Sequence, residues 1–80
     1  MTVRQLLSKD RQVRVEIHRR DNGTFGYRVF RWDGEGPEGP HWCLLGGQAE
    51  SFTASADDAE REARARVAGM ADAVVVSSHG

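Results

Sequence analysis

The 80-residue chain is poor in cysteine and in long apolar runs, and each shortage excludes a class of protein. A single cysteine, Cys43, rules out an internal disulfide. No apolar run approaches the roughly 20 residues that a membrane-spanning helix needs, and the first residues lack the apolar core of a secretory signal peptide. We therefore expect one small cytoplasmic domain, residues 1–80, with one modest hydrophobic core.

Zinc-finger spacing, nucleotide-binding motifs and catalytic constellations are also missing. The three histidines, His18, His41 and His79, fit no zinc spacing with a single cysteine. His41 and Cys43 can share a strand face, but a Cys–His nucleophile also needs an orienting group and an oxyanion site. The glycines of "GEGPEG" precede no helix and no Gly-Lys-Ser/Thr ending. We expect no enzyme activity, no cofactor and no metal.

Charge is nearly balanced overall but is distributed unevenly along the chain. The net charge is −1. Residues 1–32 hold eight basic and three acidic residues, a net +5, whereas residues 33–80 hold three basic and nine acidic residues, a net −6. Such asymmetry predicts a charged partner, and either half can supply the surface that meets it.

The clearest local pattern is a β-hairpin in "RQVRVEIHRRDNGTFGYRVFRW". Residues 13–18 alternate between apolar and polar side chains, as a half-buried strand does. Asp-Asn-Gly at 21–23 is a turn signal. A three-residue loop places Ile17 opposite Tyr27 and Val15 opposite Val29, which collects the apolar groups on one face.

This register places Phe30 and Trp32 on the face opposite Tyr27 and Val29. Two interpretations stay open for them. They pack under the long loop or the chain termini, or they form an exposed apolar patch for a partner or a second copy. With Trp42 as a neighbour, we predict that Phe30, Trp32 and Trp42 form the interface of a homodimer.

The remaining chain completes an α+β domain. "HWCLLGG" predicts a third strand from His41, continuing as far as Phe52, and "DGEGPEGP" is the loop before it. Ser55 predicts the cap of a helix over residues 56–68, with Asp57 and Arg61 as one of its ion pairs. Residues 73–76 fit a short strand or an apolar plug, and "VRQLL" fits a strand or a helical turn. We expect a three- or four-stranded antiparallel sheet with one main helix packed on one face.

Two opposite surfaces are candidates for binding. The hairpin interleaves arginines with aromatic residues, which is how single-stranded nucleic acid is held. In the other half, eight carboxylates can form a continuous negative surface if the long loop and the helix N-terminus lie together. These candidate partner-binding residues are Asp33, Glu35, Glu38, Glu50, Asp57, Asp58, Glu60 and Glu62.

Two family resemblances connect these features with function. Through "DGEGPEGP" and "SADDAERE", the chain resembles small phage anti-CRISPR proteins. This resemblance implies a non-enzymatic inhibitor that binds a basic surface of a CRISPR effector complex in a host bacterial cell and blocks DNA binding. Through "DNGTFGYRV" and "SADDAEREA", it resembles HicB-type antitoxins. The alternatives to the inhibitor are a nucleic-acid-binding module that uses the arginine hairpin and an antitoxin.

Overall fold

The computed structural model describes residues 1–37, 39–45 and 51–78. The elements are β1 (Thr2–Leu7), β2 (Val13–Arg19), β3 (Phe25–Asp33), β4 (His41–Leu45), α1 (Ala56–Arg66) and β5 (Val74–Ser78). The strands form one antiparallel sheet in the order β4-β3-β2-β1-β5. The α+β class with one main helix is confirmed. No helix in the described part of the chain is long and apolar enough to cross a membrane.

The sheet has five strands, so the expected three or four were too few. β1 was ambiguous in the sequence because a bulge between Thr2 and Arg4 breaks its alternation. β5 pairs with the outer edge of β1, and its three valines are all about half exposed. A strand that buries so little does not show the period by which strands are identified.

The first hairpin has the predicted register. Ile17 pairs with Tyr27, and Val15 pairs with Val29. The turn is closed by the N–H of Arg20, which donates to the carbonyl of Thr24 at 2.8 Å. Gly23 has a φ of 85°, a left-handed conformation that glycine adopts without steric cost.

The helix packs on one face of the sheet as predicted, across β2 and β3, but it is shorter than the predicted helix. Ser55 caps it, with its hydroxyl oxygen accepting from the N–H of Asp58 at 3.1 Å. It ends at Arg66 instead of residue 68, because Val67 is already extended and Gly69 takes a φ of 82°.

Small side chains on the helix allow it to lie close to the sheet. Ala59 and Ala63 are fully buried against the hairpin core, and Val67 packs at its margin. The core comprises Val3, Leu6, Val15, Ile17, Tyr27, Val29, Ala59, Ala63, Met70 and Ala73.

Candidate functional site

The sheet face opposite α1 has no described helix over it, and we call it the open face. Strand register places alternate residues of β2, β3 and β4 there. These are Arg14, Glu16, His18, Arg28, Phe30, Trp32, Trp42 and Leu44. The prediction that Phe30 and Trp32 lie away from the helix-facing core is therefore confirmed, and Trp42 is their neighbour on β4.

An arginine and three aromatic rings form one cluster on the open face. Trp32 and Trp42 are directly paired across β3 and β4, with ring centroids 5.3 Å apart in an edge-to-face arrangement. The Arg14 guanidinium lies 4.7 Å from the Phe30 ring centroid and 4.8 Å from that of Trp42. Each such contact contributes about 0.5–1 kcal/mol at exposed sites, and more where water is excluded.

Arg14 is also held by Glu16, whose carboxylate lies 3.1 Å from its Nη2. Both side chains are largely buried by their neighbours. The three rings are each half-buried. Their exposed parts and the Arg14 guanidinium form one continuous surface. Arg14 and the rings cover one another, and Gly34 of the loop approaches the edge of Trp32.

The hairpin end of the open face is positively charged. His18 is only 8% exposed there, and its Nδ1 has no hydrogen-bond partner. Burial lowers its pKa from the ordinary 6.5, and the positive charges of Arg28, Arg20 and the N-terminal amine lower it further. Glu16 opposes these effects. The face therefore has an aromatic end toward β4 and a cationic end toward the turn.

We expect His18 to make stability fall as the pH is lowered through 6.5. The unfolded chain takes up a proton at the ordinary pKa, whereas the folded chain does so only at lower pH. The free energy of unfolding should then decrease by up to about 1.4 kcal/mol per pH unit in that window. Urea denaturation between pH 7.5 and 5 should show this slope in the wild type and a smaller one in His18→Gln. An equal pH dependence of the unfolding free energy in both proteins would contradict this role of His18.

A second arginine–aromatic pair flanks the cationic end. The Arg20 guanidinium lies 4.4 Å from the ring centroid of Phe52, which is 64% exposed. Arg20 also donates to the carbonyl of Ser51 at 2.8 Å. Gly26 makes room for this arrangement, because a Cβ there would lie 2.5 Å from Nη2 of Arg20 and 2.8 Å from the Ser51 oxygen.

Sequence reasoning missed this pair because Phe52 was assigned to a continuation of β4. Instead, Thr53 makes an isolated bridge to Phe25 at the start of β3. That bridge is a non-local contact, and no spacing in the sequence signals it. Of the other predicted hairpin aromatics, Tyr27 belongs to the core and Phe25 packs against it, so neither reaches the open face.

The four helix carboxylates of the predicted acidic surface lie together, but each has an arginine partner. Asp57 pairs with Arg4 of β1 at 2.8 Å, so the predicted Asp57–Arg61 pair is wrong. The other pairs are Asp58–Arg61, Glu60–Arg64, Glu60–Arg4 and Glu62–Arg66, at distances from 2.9 to 3.4 Å. The helix surface is thus close to neutral.

The loop carboxylates lie elsewhere. Asp33 ends β3, and Glu35 follows it in the loop, whereas the helix begins near Phe25 at the start of the same strand. A nine-residue strand separates its two ends by about 26 Å. Glu38 and Glu50 lie outside the described residues. Among the described acids, loop and helix do not form one continuous surface.

Comparisons of the chain with protein-family models, with curated proteins and with solved structures return no match. The resemblances to anti-CRISPR proteins and to HicB-type antitoxins are therefore supported by none of these comparisons.

Proposed function

We propose that this chain is a non-enzymatic cytoplasmic module that binds single-stranded nucleic acid on its open face. The observation that carries the proposal is the contact of the Arg14 guanidinium with Phe30 and Trp42, beside the Trp32–Trp42 pair. Aromatic rings and guanidinium planes stack on bases of any sequence, because every base has a π-face.

The cationic end supplies the second requirement, which is attraction of phosphates. Arg28 is exposed on the open face, and no described carboxylate forms an ion pair with it. The same positive field that lowers the pKa of His18 attracts a phosphate backbone. Arg28 and Trp32 are four residues apart on β3. A single nucleic-acid strand can therefore place a phosphate beside Arg28 and a base beside Trp32.

The test is a fluorescence-anisotropy titration with a labelled thymidine oligonucleotide of about 12 nucleotides. We expect saturable binding whose affinity falls between 50 and 200 mM salt. Trp42→Ala should weaken binding by about 1–3 kcal/mol, or roughly 5- to 150-fold, because one stacking surface is lost. Arg28→Ala should weaken binding and make the salt slope shallower by about 0.7–1, because one phosphate contact is lost.

Arg61→Ala is the matched control, because Arg61 is exposed on α1, away from the open face. It should leave affinity and salt slope nearly unchanged. Circular dichroism should confirm that each variant is folded. If Arg61→Ala weakens binding as much as Arg28→Ala, attraction is diffuse and the open face is not the site. Absence of saturable binding at low salt would overturn the proposal.

Inhibition of a CRISPR effector complex is the second candidate. It is favoured by Asp33 and Glu35, which make no ion pair with any described basic residue. An inhibitor of this kind would not change the fluorescence anisotropy of the free oligonucleotide. It would displace an oligonucleotide that is already bound to the effector complex. Changing Asp33, Glu35 and Glu38 together to their amides should abolish that displacement.

A homodimer through Phe30, Trp32 and Trp42 competes for the same face. Leu44 lies beside Phe30 and is 60% exposed, which adds apolar area to such a contact. Light scattering on the same samples distinguishes self-association from oligonucleotide binding on this face. Self-association on this face should be lost in Trp32→Ala, and it should compete with oligonucleotide as the protein concentration rises.

A further inference from the structure

Three metal-ligand side chains from two neighbouring strands meet at the end of the sheet that carries the β3–β4 loop. Asp33 ends β3 and pairs directly with His41, the first residue of β4. Cys43 is two residues further along β4, so it shares a face with His41. A carboxylate oxygen, a ring nitrogen and the sulfur all lie within 4.8 Å of one another.

The imidazole of His41 has the orientation that a metal ligand needs. Its Nδ1 lies 2.7 Å from the carbonyl oxygen of Gly39. A carbonyl oxygen only accepts, so Nδ1 carries the hydrogen and donates it. In the neutral ring, Nε2 then keeps its lone pair, and it lies 3.2 Å from the Cys43 sulfur. Metal-binding histidines commonly donate their other ring N–H to a carbonyl or carboxylate in this way.

The loop backbone closes tightly over two of the three side chains. A Cβ on Gly36 would lie 2.7 Å from Oδ2 of Asp33 and 3.3 Å from Cε1 of His41. The other oxygen of Asp33 accepts from the N–H of Glu35 at 3.1 Å. The carboxylate and the imidazole are therefore positioned by the loop fold.

We propose that Asp33, His41 and Cys43 bind a zinc ion. Zinc takes oxygen, nitrogen and sulfur ligands at about 2.0–2.3 Å in a tetrahedron, which separates nitrogen from sulfur by about 3.6 Å. The observed 3.2 Å is close to that value. Binding displaces the thiol proton to solvent and forms a thiolate–zinc bond.

The fourth coordination position of the proposed zinc ion has access to solvent. Asp33 and Cys43 line a surface cavity of about 570 Å³ together with Arg31, Trp32 and Glu35, which leaves room for water or a small anionic ligand. The register places all three ligands on the other side of β3 and β4 from Trp32 and Trp42. The three ligands are therefore separate from the aromatic side chains of the open face, although Trp32 borders the same cavity.

The test uses the full, tag-free chain with Co²⁺ as a spectroscopic probe and with Zn²⁺ as competitor. One equivalent of Co²⁺ should produce thiolate-to-metal charge transfer in the near ultraviolet and tetrahedral d–d bands, and Zn²⁺ should remove both. Cys43→Ser should abolish the charge-transfer band. Asp33→Asn and His41→Gln should each weaken Zn²⁺ binding by at least about tenfold. Zn²⁺ should also raise the melting temperature of the wild type.

Two further variants test whether the loop geometry at Asp33 matters for Zn²⁺ binding. Gly36→Ala should weaken Zn²⁺ binding, because its Cβ would crowd the Asp33 carboxylate. Asp21→Asn changes an exposed aspartate at the hairpin turn, at the other end of β3, and should bind Zn²⁺ like the wild type. Co²⁺ spectra without a thiolate band, or equal Zn²⁺ affinity in Asp33→Asn and the wild type, would overturn the proposal.

Discussion

Leu6→Ala should lower the free energy of unfolding by about 2–5 kcal/mol, because it leaves a cavity in the centre of the core. Leu6 is fully buried on β1, where it pairs with Val15 on one side and Val75 on the other. An 80-residue domain has roughly 4–12 kcal/mol of stability in total. The variant should therefore be largely unfolded at moderate urea concentrations, as measured by circular dichroism.

Leu44→Ala is the matched control, because it removes the same atoms from a leucine that is 60% exposed on the edge strand β4. It should change stability by no more than about 0.5 kcal/mol. A cost at Leu44 equal to that at Leu6 would mean that the open face is buried in solution, as a homodimer requires. Light scattering on both variants then shows whether the Leu44 effect comes from lost self-association.

The hairpin and the helix were predictable because their signals are local. Alternation between residues 13 and 18, the Asp-Asn-Gly turn and the Ser55 cap each act within a few residues. For β1 and β5 the sequence left a strand as one of two alternatives, because neither segment shows the alternation of a half-buried strand. A bulge and three half-exposed valines hide the period that a buried strand would show.

The aromatic part of the candidate site followed from the register, whereas the charge pattern did not. Once Ile17 was placed opposite Tyr27, the side of the sheet that carries Phe30 and Trp32 was determined. Arg4 lies 53 residues before Asp57, so no window of sequence could assign that carboxylate its partner. Arg4 completes the neutralisation of α1, whose other ion pairs lie within the helix.

The proposed zinc ligands are hidden in the sequence for the same reason. The histidines and the cysteine alone fit no zinc spacing along the chain. The third ligand, Asp33, comes from the neighbouring strand, and the register of β3 with β4 brings it to His41. A loop of seven residues between the two strands conceals that adjacency in the sequence.

Arg64 on α1 should be the most important charged residue for stability. Its Nε donates to Glu60 at 2.9 Å, and its Nη1 donates to the carbonyl of Ala73 at 2.8 Å and, more weakly, to those of Ala71 and Met70. It therefore holds the segment between α1 and β5 against the helix. Arg64→Met keeps most of the apolar stem but removes every donor, and should cost about 1.5–3 kcal/mol in urea denaturation.

Arg61→Met and Arg66→Met on the same helix are the controls. Their ion pairs, with Asp58 and Glu62, involve guanidinium groups that are 80% and 72% exposed. Each control should cost no more than about 0.5–1 kcal/mol, because exposed pairs contribute little. Three equal small costs would mean that the carbonyl contacts of Arg64 do not hold the segment. Because α1 packs on the sheet face opposite the aromatic cluster, none of the three should alter oligonucleotide affinity at temperatures where the protein is folded.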